Sequence, residues 1–135
     1  MTKEEVVDLI RDAGYGQLAT MEGNQPHLRP MMPYITDEGL LLVALLPRSR
    51  TIAQIKANPL VEVCFVDRKM WYARITGKGR ITQDAGNKQI LWDMIPMLRQ
   101  YFGSVQDPNF MLLEIDIVSV EAMTPHQKLP EKIAF

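Results

Sequence analysis

The sequence contains few of the residues on which metal sites, disulfides and nucleophilic enzymes depend. Its 135 residues include one cysteine and two histidines, whereas a structural zinc site needs about four such ligands. A single cysteine excludes an internal disulfide, and no nucleophile motif surrounds His27 or His126. Cys64 lies in an alternating strand pattern with no basic residue on its own face, which predicts a packed and inert thiol. We therefore expect no metal site and no nucleophilic catalysis by a protein side chain.

Excess charge and long apolar runs are also missing, and this excludes two classes of partner. The 15 Lys and Arg residues nearly balance the 16 Asp and Glu residues, for a net charge of -1. This balance provides no electrostatic basis for binding nucleic acid or an anionic membrane. The longest apolar run, residues 40–46, is much shorter than the roughly 20 residues that span a bilayer. The first residues, "MTKEEVVDLIRDAG", lack the apolar core of a secretion signal. Together with the lone cysteine, these features predict a cytoplasmic protein.

The pattern of the chain predicts one domain, residues 1–135, that is mainly β. Thr2 and Glu5 have the spacing of a capping box, which predicts an N-terminal helix closing near Gly14. The order that follows is three strands joined by tight turns, a short helix, two alternating strands, a helix interrupted by Pro96, and a long closing strand. The short helix is expected over about 50–57, and the closing strand over 109–123. This order predicts a six-stranded antiparallel β-barrel with short flanking helices.

Prolines and glycines indicate where this barrel departs from regularity. Pro30 and Pro33 fall in one predicted strand, about 27–35. Because proline cannot donate to a ladder, that strand should lie at an edge, be bulged, or be opened around a ligand. Gly77 and Gly79 are expected to bend the strand that contains them. Glu114 is expected on a solvated outer face of the closing strand. Since a small barrel is filled by its own side chains, a sizeable ligand must sit in a groove outside it.

One short stretch, "RSRT" at residues 48–51, can be interpreted in two ways. Ser49 suits the cap of the following helix. The same position suits an anion site, because a helix N-terminus presents free amides and the positive end of the helix dipole. The hydroxyls of Ser49 and Thr51 can donate, Arg50 can clamp phosphate oxygens, and Arg48 adds charge if it turns inward. These residues alone leave the two interpretations equally open.

A second arginine favours the ligand site. Arg29 lies among apolar residues in the strand that the prolines disturb. A surface position on the polar side of the pleat would explain it, but near Ser49 it would offer a planar cation to the carbonyl edge of a ring system. Met31 and Met32 would then supply soft apolar packing against that ring.

These motifs occur in an order that resembles a known family. The resemblance is carried by "QLATMEGNQPHLRPMMPYITDEGLLLVALLPRSRTIAQIKANPLVEVCF" followed by "WYARITGKGRI", within about residues 16–123. It points to the pyridoxamine 5′-phosphate oxidase-like, FMN-binding split-barrel proteins, and within them to the small general-stress-protein and nitroimidazole-resistance branch. The resemblance implies a six-stranded split barrel that forms a homodimer, with FMN in a cleft between the subunits.

The resemblance also implies positions for the cofactor. The Arg-Pro-Met stretch at 29–31 would lie beside the isoalloxazine ring, and Ser49 and Arg50 match a phosphate-binding pair. Two departures are visible, because Thr51 stands where the family often has Lys, and Leu45 replaces a hydroxyl-bearing residue. The resemblance adds Pro30, Gln54 and Tyr72 to the residues that the pattern suggested, so the predicted cofactor-binding residues are Arg29, Pro30, Met31, Ser49, Arg50, Thr51, Gln54 and Tyr72.

The functional hypothesis is a flavin-dependent oxidoreductase that acts on a small electrophile such as a nitro or quinone-like compound. The alternative of the same fold is a non-catalytic module that binds or senses flavin, deazaflavin or haem. Tyr72 and Trp71, with either Trp92 or Tyr101 of a second subunit, would wall the ring; core packing is the alternative, favoured for Trp71 and left open for Trp92. Because the C-terminal substrate segment of the true oxidases has no match, pyridoxamine phosphate oxidation itself is not expected. No catalytic acid or base is assigned.

Overall fold

The computed structural model describes all residues from 1 to 135 and contains eight strands, three α-helices and one 3₁₀ helix. In chain order the elements are α1 (Lys3–Ala13), β1 (Gly16–Glu22), β2 (Gln25–Met31), β3 (Tyr34–Ile35), β4 (Leu40–Leu45), α2 (Arg50–Ala57), β5 (Leu60–Val66), β6 (Tyr72–Thr82), α3 (Ala85–Met94), the 3₁₀ helix (Pro96–Gln100), β7 (Met111–Met123) and β8 (Glu131–Ile133). The mainly β, antiparallel fold predicted from the sequence is confirmed.

The sheet closes on itself through the chain rather than through hydrogen bonds. Its strand order is β2-β1-β5-β6-β7-β4-β3, with β8 added beside β7, and all pairs are antiparallel. In a flat sheet the two edge strands would lie about 29 Å apart, from six spacings of about 4.8 Å. The three chain steps from Met31 to Tyr34 span at most about 11 Å. The sheet therefore curls into a barrel whose two edges, β2 and β3, are joined by residues 32–33 but not paired with each other.

The strand count is the part of the fold prediction that was wrong, since eight strands replace six. The predicted strand over 27–35 is two strands, β2 and β3, at opposite edges of the sheet. Pro33 lies in the break between them and Pro30 lies in β2, so of the three alternatives predicted for the proline-containing strand, the structure shows the edge position. The second addition, β8, has only three residues, and it is held by pairing with β7.

The bend predicted for β6 is present at Gly77. The pairing register between β6 and β7 shifts between Thr76 and Gly77. A Cβ atom on Gly77 would lie 2.6 Å from Cγ2 of Ile115 and 2.8 Å from the carbonyl oxygen of Asp116. Only glycine allows the two strands to approach this closely, so the residue permits the curvature that closes the barrel.

Two separate apolar clusters fill the molecule. The larger comprises 19 buried residues inside the barrel and against α1. The smaller packs α3 and the 3₁₀ helix on the outside of β4 and β7, and it consists of Leu42, Leu91, Leu98, Phe102, Phe110 and Leu112. Because β4 contributes to both clusters, it is buried on both faces, as its unbroken apolar sequence predicts. The second cluster also holds the 3₁₀ helix beside β4. As predicted, Pro96 separates this helix from α3.

Two expectations about individual side chains were wrong. Glu114 is only 4% exposed because α3 covers it, and it accepts a hydrogen bond from Asn87 and pairs with Arg80. Cys64 does have a basic neighbour, since Arg74 lies opposite it in the β5–β6 ladder. Burial raises the pKa of the Cys64 thiol more than Arg74 lowers it, so the thiol stays protonated and the expected inertness holds.

None of the helices combines the length and the apolar character needed to cross a membrane.

Candidate functional site

A cavity of about 620 Å³ lies at the split of the barrel, within the usual size of a small-molecule pocket. Its walls come from the C-terminal half of β2, the C-terminal half of β4, the loop that leads into α2, and the 3₁₀ helix with the residues after it. The cavity exists because β2 and β4 are not paired with each other. The split that the topology leaves open is thus the groove outside the barrel interior that the sequence predicted.

The lining is apolar except at one end. Of its 18 residues, 13 are hydrophobic, and none carries a carboxylate or an imidazole. Charge enters only through Arg29 and Arg48, and hydroxyl groups come from Ser49, Thr51 and two tyrosines. This arrangement suits a ligand with a flat apolar body and an anionic tail.

The N-terminus of α2 forms the polar end. Ser49 is the N-cap, with extended backbone (φ -60°, ψ 128°), and its Oγ accepts a hydrogen bond from the amide of Thr51 at 3.2 Å. The helix spans Arg50–Ala57 with Asn58 as its C-cap, just before Pro59, so its predicted bounds of 50–57 are confirmed. Ser49 and Thr51 both line the cavity as well. The two interpretations of this stretch are therefore compatible, because the capping serine and the helix start also face the pocket.

Arg29 reaches this end from β2 and is held by three neutral acceptors. Its Nη1 donates to the carbonyl oxygen of Leu18 at 3.3 Å and to Oγ1 of Thr20 at 2.6 Å. Its Nη2 donates to Oε1 of Gln54 at 2.8 Å. Burial lowers the pKa of Arg29, and the nearby positive charge of Arg50 lowers it further. The guanidinium is thus fixed in place beside the first turn of α2.

No carboxylate neutralises the cations at this end of the cavity. Arg29, Arg48 and Arg50 form no salt bridge, although Arg11, Arg68, Arg74 and Arg80 all do. Three arginines without acidic partners, two of them lining an otherwise apolar pocket, are an arrangement that an anion would stabilise. The chemistry of this end of the cavity therefore suits an anionic group such as a phosphate or a carboxylate.

Gln54 and Tyr72 do not line the cavity. Gln54 is 3% exposed and lies behind Arg29. Tyr72 begins β6, and its hydroxyl contacts the sulfur of Met123 at 3.7 Å. Of the other predicted site residues, Arg50 is exposed on the first turn of α2, and the cavity is lined by Arg29, Pro30, Met31, Ser49 and Thr51. In the folded protein, all of the predicted residues except Tyr72 therefore lie close together in space, at the end of β2 and the start of α2.

One wall of the cavity was not predicted for this chain. Ile95, Met97, Leu98, Tyr101 and Phe102 supply it from the 3₁₀ helix and its flanks. The sequence offered a signal, since apolar residues recur on both sides of the helix-breaking Pro96, but it did not indicate what they pack against. Tyr101, expected to act from a second subunit, lines the cavity of its own chain.

Trp92 packs against the smaller cluster near Phe110, with ring centroids 6.4 Å apart, and it does not line the cavity, so of the two roles left open for it the structure shows packing. Two further residues that sequence reasoning missed, Thr20 and Glu22, lie on β1 and contact Gln54. Thr20 lies on the buried side of β1, and no local pattern indicates its partner.

Comparison with known proteins supports the fold and a family. The family profile described as "Pyridoxamine 5'-phosphate oxidase" matches residues 2–124. General stress protein 26 of Bacillus subtilis (strain 168) is 27% identical over 135 residues, covering 95% of this chain and 92% of that protein.

Solved structures give the same picture. General Stress Protein 26 from Bacillus anthracis str. Sterne superposes with a TM-score of 0.82 at 27% identity, covering 98% of each chain. A NimC/NimA family protein from Clostridium acetobutylicum has a TM-score of 0.78 at 21% identity, covering 96% of this chain and 90% of that one. At the lower identity of this second structure, the likeness concerns the fold alone.

Proposed function

Because the chain belongs to the pyridoxamine 5′-phosphate oxidase family, whose members commonly bind flavin, we propose that it binds FMN in the split cavity. We further propose that it is a flavin-dependent oxidoreductase acting on a small electrophile. The observation that carries the proposal is the pair of unneutralised arginines, Arg29 and Arg48, at the polar end of an apolar cavity. FMN has the matching form, with a planar ring at one end and a phosphate at the other.

The residues present fit the two ends of FMN. Arg29, Arg48 and Arg50 would hold the phosphate, together with the hydroxyls of Ser49 and Thr51. The sequence-based interpretation placed Arg29 beside the ring. Its hydrogen bond to Gln54 of α2 and its proximity to Arg50 favour the phosphate end instead.

The apolar part of the cavity would receive the ring. The lining there includes Pro30 and Met31 on β2, Leu45 on β4 and Tyr101 beyond the 3₁₀ helix. When bound, FMN supplies the redox chemistry, and the protein binds it, orients it and keeps water from part of its surface. Since no carboxylate or imidazole lines the cavity, we assign the donation of protons to water rather than to a side chain.

The direct test is to prepare the protein without flavin and to titrate it with FMN and with riboflavin, following the quenching of flavin fluorescence. We expect FMN to bind more tightly than riboflavin, because only FMN carries the phosphate. The mass of any ligand released from the purified protein distinguishes FMN from a deazaflavin or a haem. A colourless protein that binds neither flavin at high concentration would refute the proposal.

A non-catalytic flavin-binding module is the second candidate, favoured by the lack of any carboxylate or imidazole along the cavity. The two candidates differ in turnover. If the FMN complex, once reduced, passes electrons to nitro or quinone acceptors faster than free FMN does, the protein is an oxidoreductase. If it does not exceed free FMN, the binding module remains.

We also propose that a second copy of the chain covers the cavity. Four residues of the lining remain exposed in the single chain: Tyr15 at 54%, Leu46 at 49%, Met97 at 40% and Tyr101 at 61%. A cluster of exposed large apolar side chains at the rim of a pocket is typical of an interface. Sedimentation should give twice the chain mass of 15.4 kDa. A monomer at micromolar concentration, with and without FMN, would contradict the homodimer.

A further inference from the structure

We propose that Thr20 and Gln54 are positioning residues that hold Arg29 as an unneutralised cation for the anionic group of the ligand, and that Glu22 sets the direction of the Gln54 amide. The inference rests on the proposed function, because the ligand phosphate of FMN is the anion that Arg29 would meet. It assigns to Gln54 an action through Arg29 instead of a contact with the cofactor.

The first support is where these residues lie. Thr20 is 1% exposed and Gln54 is 3% exposed, and neither lines the cavity. Arg29, which both of them contact, does line it. The contact through which Thr20 and Gln54 act most directly on a ligand is therefore the guanidinium of Arg29.

The second support is the direction of the hydrogen bonds. The carboxylate of Glu22 can only accept, so the amide nitrogen of Gln54 must face it, at 3.0 Å from Oε2 of Glu22. The amide oxygen of Gln54 then faces the other way and accepts from the hydroxyl of Thr20 at 2.6 Å. Because that hydroxyl donates to Gln54, its oxygen is free to accept from Arg29. From Arg29 to Glu22, every hydrogen bond in this network therefore has a consistent donor and acceptor.

The fold brings these groups together from three elements. The β1–β2 register places Leu18 opposite Arg29, so the guanidinium reaches the carbonyl oxygen of Leu18 and the hydroxyl of Thr20 two residues further on. Gln54 follows Arg50 by four residues on α2, which puts both on one face of the helix. The contact therefore locks β2 and α2, the two elements that carry the predicted phosphate ligands, in a fixed relative position.

The third support is the charge of the acceptors. A carboxylate in place of the Gln54 amide would hold Arg29 equally well, but it would form a salt bridge and cancel the charge that the ligand needs. The amide provides the same geometry without that cancellation. The single carboxylate of the network, Glu22, is exposed and is separated from Arg29 by the Gln54 side chain. The positive charge therefore remains available to an anion in the cavity.

The test moves the carboxylate from position 22 to position 54, where it would contact Arg29 directly. The double variant Glu22→Gln with Gln54→Glu keeps the composition, the net charge and a hydrogen bond between the two side chains, and it places the carboxylate against Arg29. A matched control, Glu38→Gln with Gln106→Glu, makes the same exchange at two exposed positions that form no side-chain hydrogen bonds. Each protein is titrated with FMN and with riboflavin, and its thermal unfolding is measured with and without inorganic phosphate.

We expect the double variant to lose about tenfold or more in affinity for FMN, the size of one charge-assisted bond. Riboflavin affinity should change by less than about threefold, and stabilisation by inorganic phosphate should shrink. The control should behave as the wild type. Equal losses for FMN and riboflavin would show a merely structural role, and unchanged FMN affinity would also overturn the inference.

A second pair of variants keeps the inference testable if the double variant does not fold. Thr20→Val removes the hydroxyl that bridges Arg29 and Gln54, and we expect it to weaken FMN binding more than riboflavin binding. Thr20→Ser retains the hydroxyl and should restore the preference for FMN. Absence of this rescue would overturn the inference. If the wild type binds no flavin, the proposed function fails, and the response to inorganic phosphate alone decides whether the positioned cation exists.

Discussion

Replacing Arg29 by methionine separates the binding role of its guanidinium from any role in folding. Methionine keeps an unbranched apolar stem in β2 and removes the charge. In the folded protein the change breaks bonds to Leu18, Thr20 and Gln54, each worth about 1 kcal/mol net. Thr20 and Gln54 keep their mutual hydrogen bond, so neither of these buried side chains is left without a partner.

The stability cost of this change should be small. Removing Arg29 also removes a partly buried charge and its repulsion by Arg50, the two causes that lower its pKa. These gains oppose the lost hydrogen bonds, so we expect the net loss to stay below the roughly 3 kcal/mol that the three bonds would give if they simply added. FMN binding, in contrast, loses one charge-assisted pair, about 1.5–3 kcal/mol. This corresponds to a Kd increase of about 12-fold to 140-fold.

Fluorescence titration with FMN and thermal unfolding of the flavin-free protein measure the two quantities separately. The control is Arg29→Lys, which keeps the charge but loses the planar fork, and we expect it to lie between the wild type and the methionine variant. An FMN affinity within about threefold of wild type would refute the assignment of Arg29 to the phosphate. A fall in unfolding free energy of more than about 3 kcal/mol would show instead that Arg29 is mainly a structural residue.

Three further predictions concern other parts of the chain. Arg50→Ala should weaken FMN binding by about 1.5–3 kcal/mol without unfolding α2, because Arg50 is exposed; unchanged affinity would leave only its helix-starting role. Gly77→Ala should lower the free energy of unfolding in urea by about 1–3 kcal/mol, since the new Cβ would lie 2.6 Å from Ile115; an unchanged midpoint would mean that the strands relax. Two backbone amides lower the pKa of Asp107 below its ordinary 3.8, so its stabilisation is complete above that value and is lost as pH falls through the lower folded-state pKa. The Tm difference between wild type and Asp107→Ala should therefore narrow as the pH falls below 3.8, and a constant difference would contradict this.

Elements with strong local signals were predicted most accurately. The bounds of α2 follow from a capping serine at Ser49 and the Asn58-Pro59 stop, and both act within one turn of the helix. The break at Pro96 and the bend at Gly77 have the same local origin. The family predicted from the sequence is confirmed by the profile match over residues 2–124. By contrast, β8 carries no pattern of its own and exists because β7 offers it an edge.

The candidate site likewise contains some residues that the local sequence reveals and others that it does not. Ser49 and Arg29 could be recognised because one caps a helix and the other interrupts an apolar strand, and both features are visible in a few neighbouring residues. Thr20 and Glu22 could not, because their importance comes from Gln54, which is 34 and 32 residues away in the chain. The wall formed by the 3₁₀ helix was missed for the same reason, since an apolar residue does not reveal which surface it covers.

The sequence by itself determined the order of helices and strands, the edge positions of the prolines and the capped start of α2, because these depend on backbone geometry and hydrogen bonding between near neighbours. Only the tertiary structure decided that the barrel stays unpaired between β2 and β3, that this split becomes an apolar cavity, and that three arginines gather at one end without a carboxylate. Those features depend on distances between residues far apart in the chain. Such distances are set by how the whole sheet curls, and no local pattern encodes them.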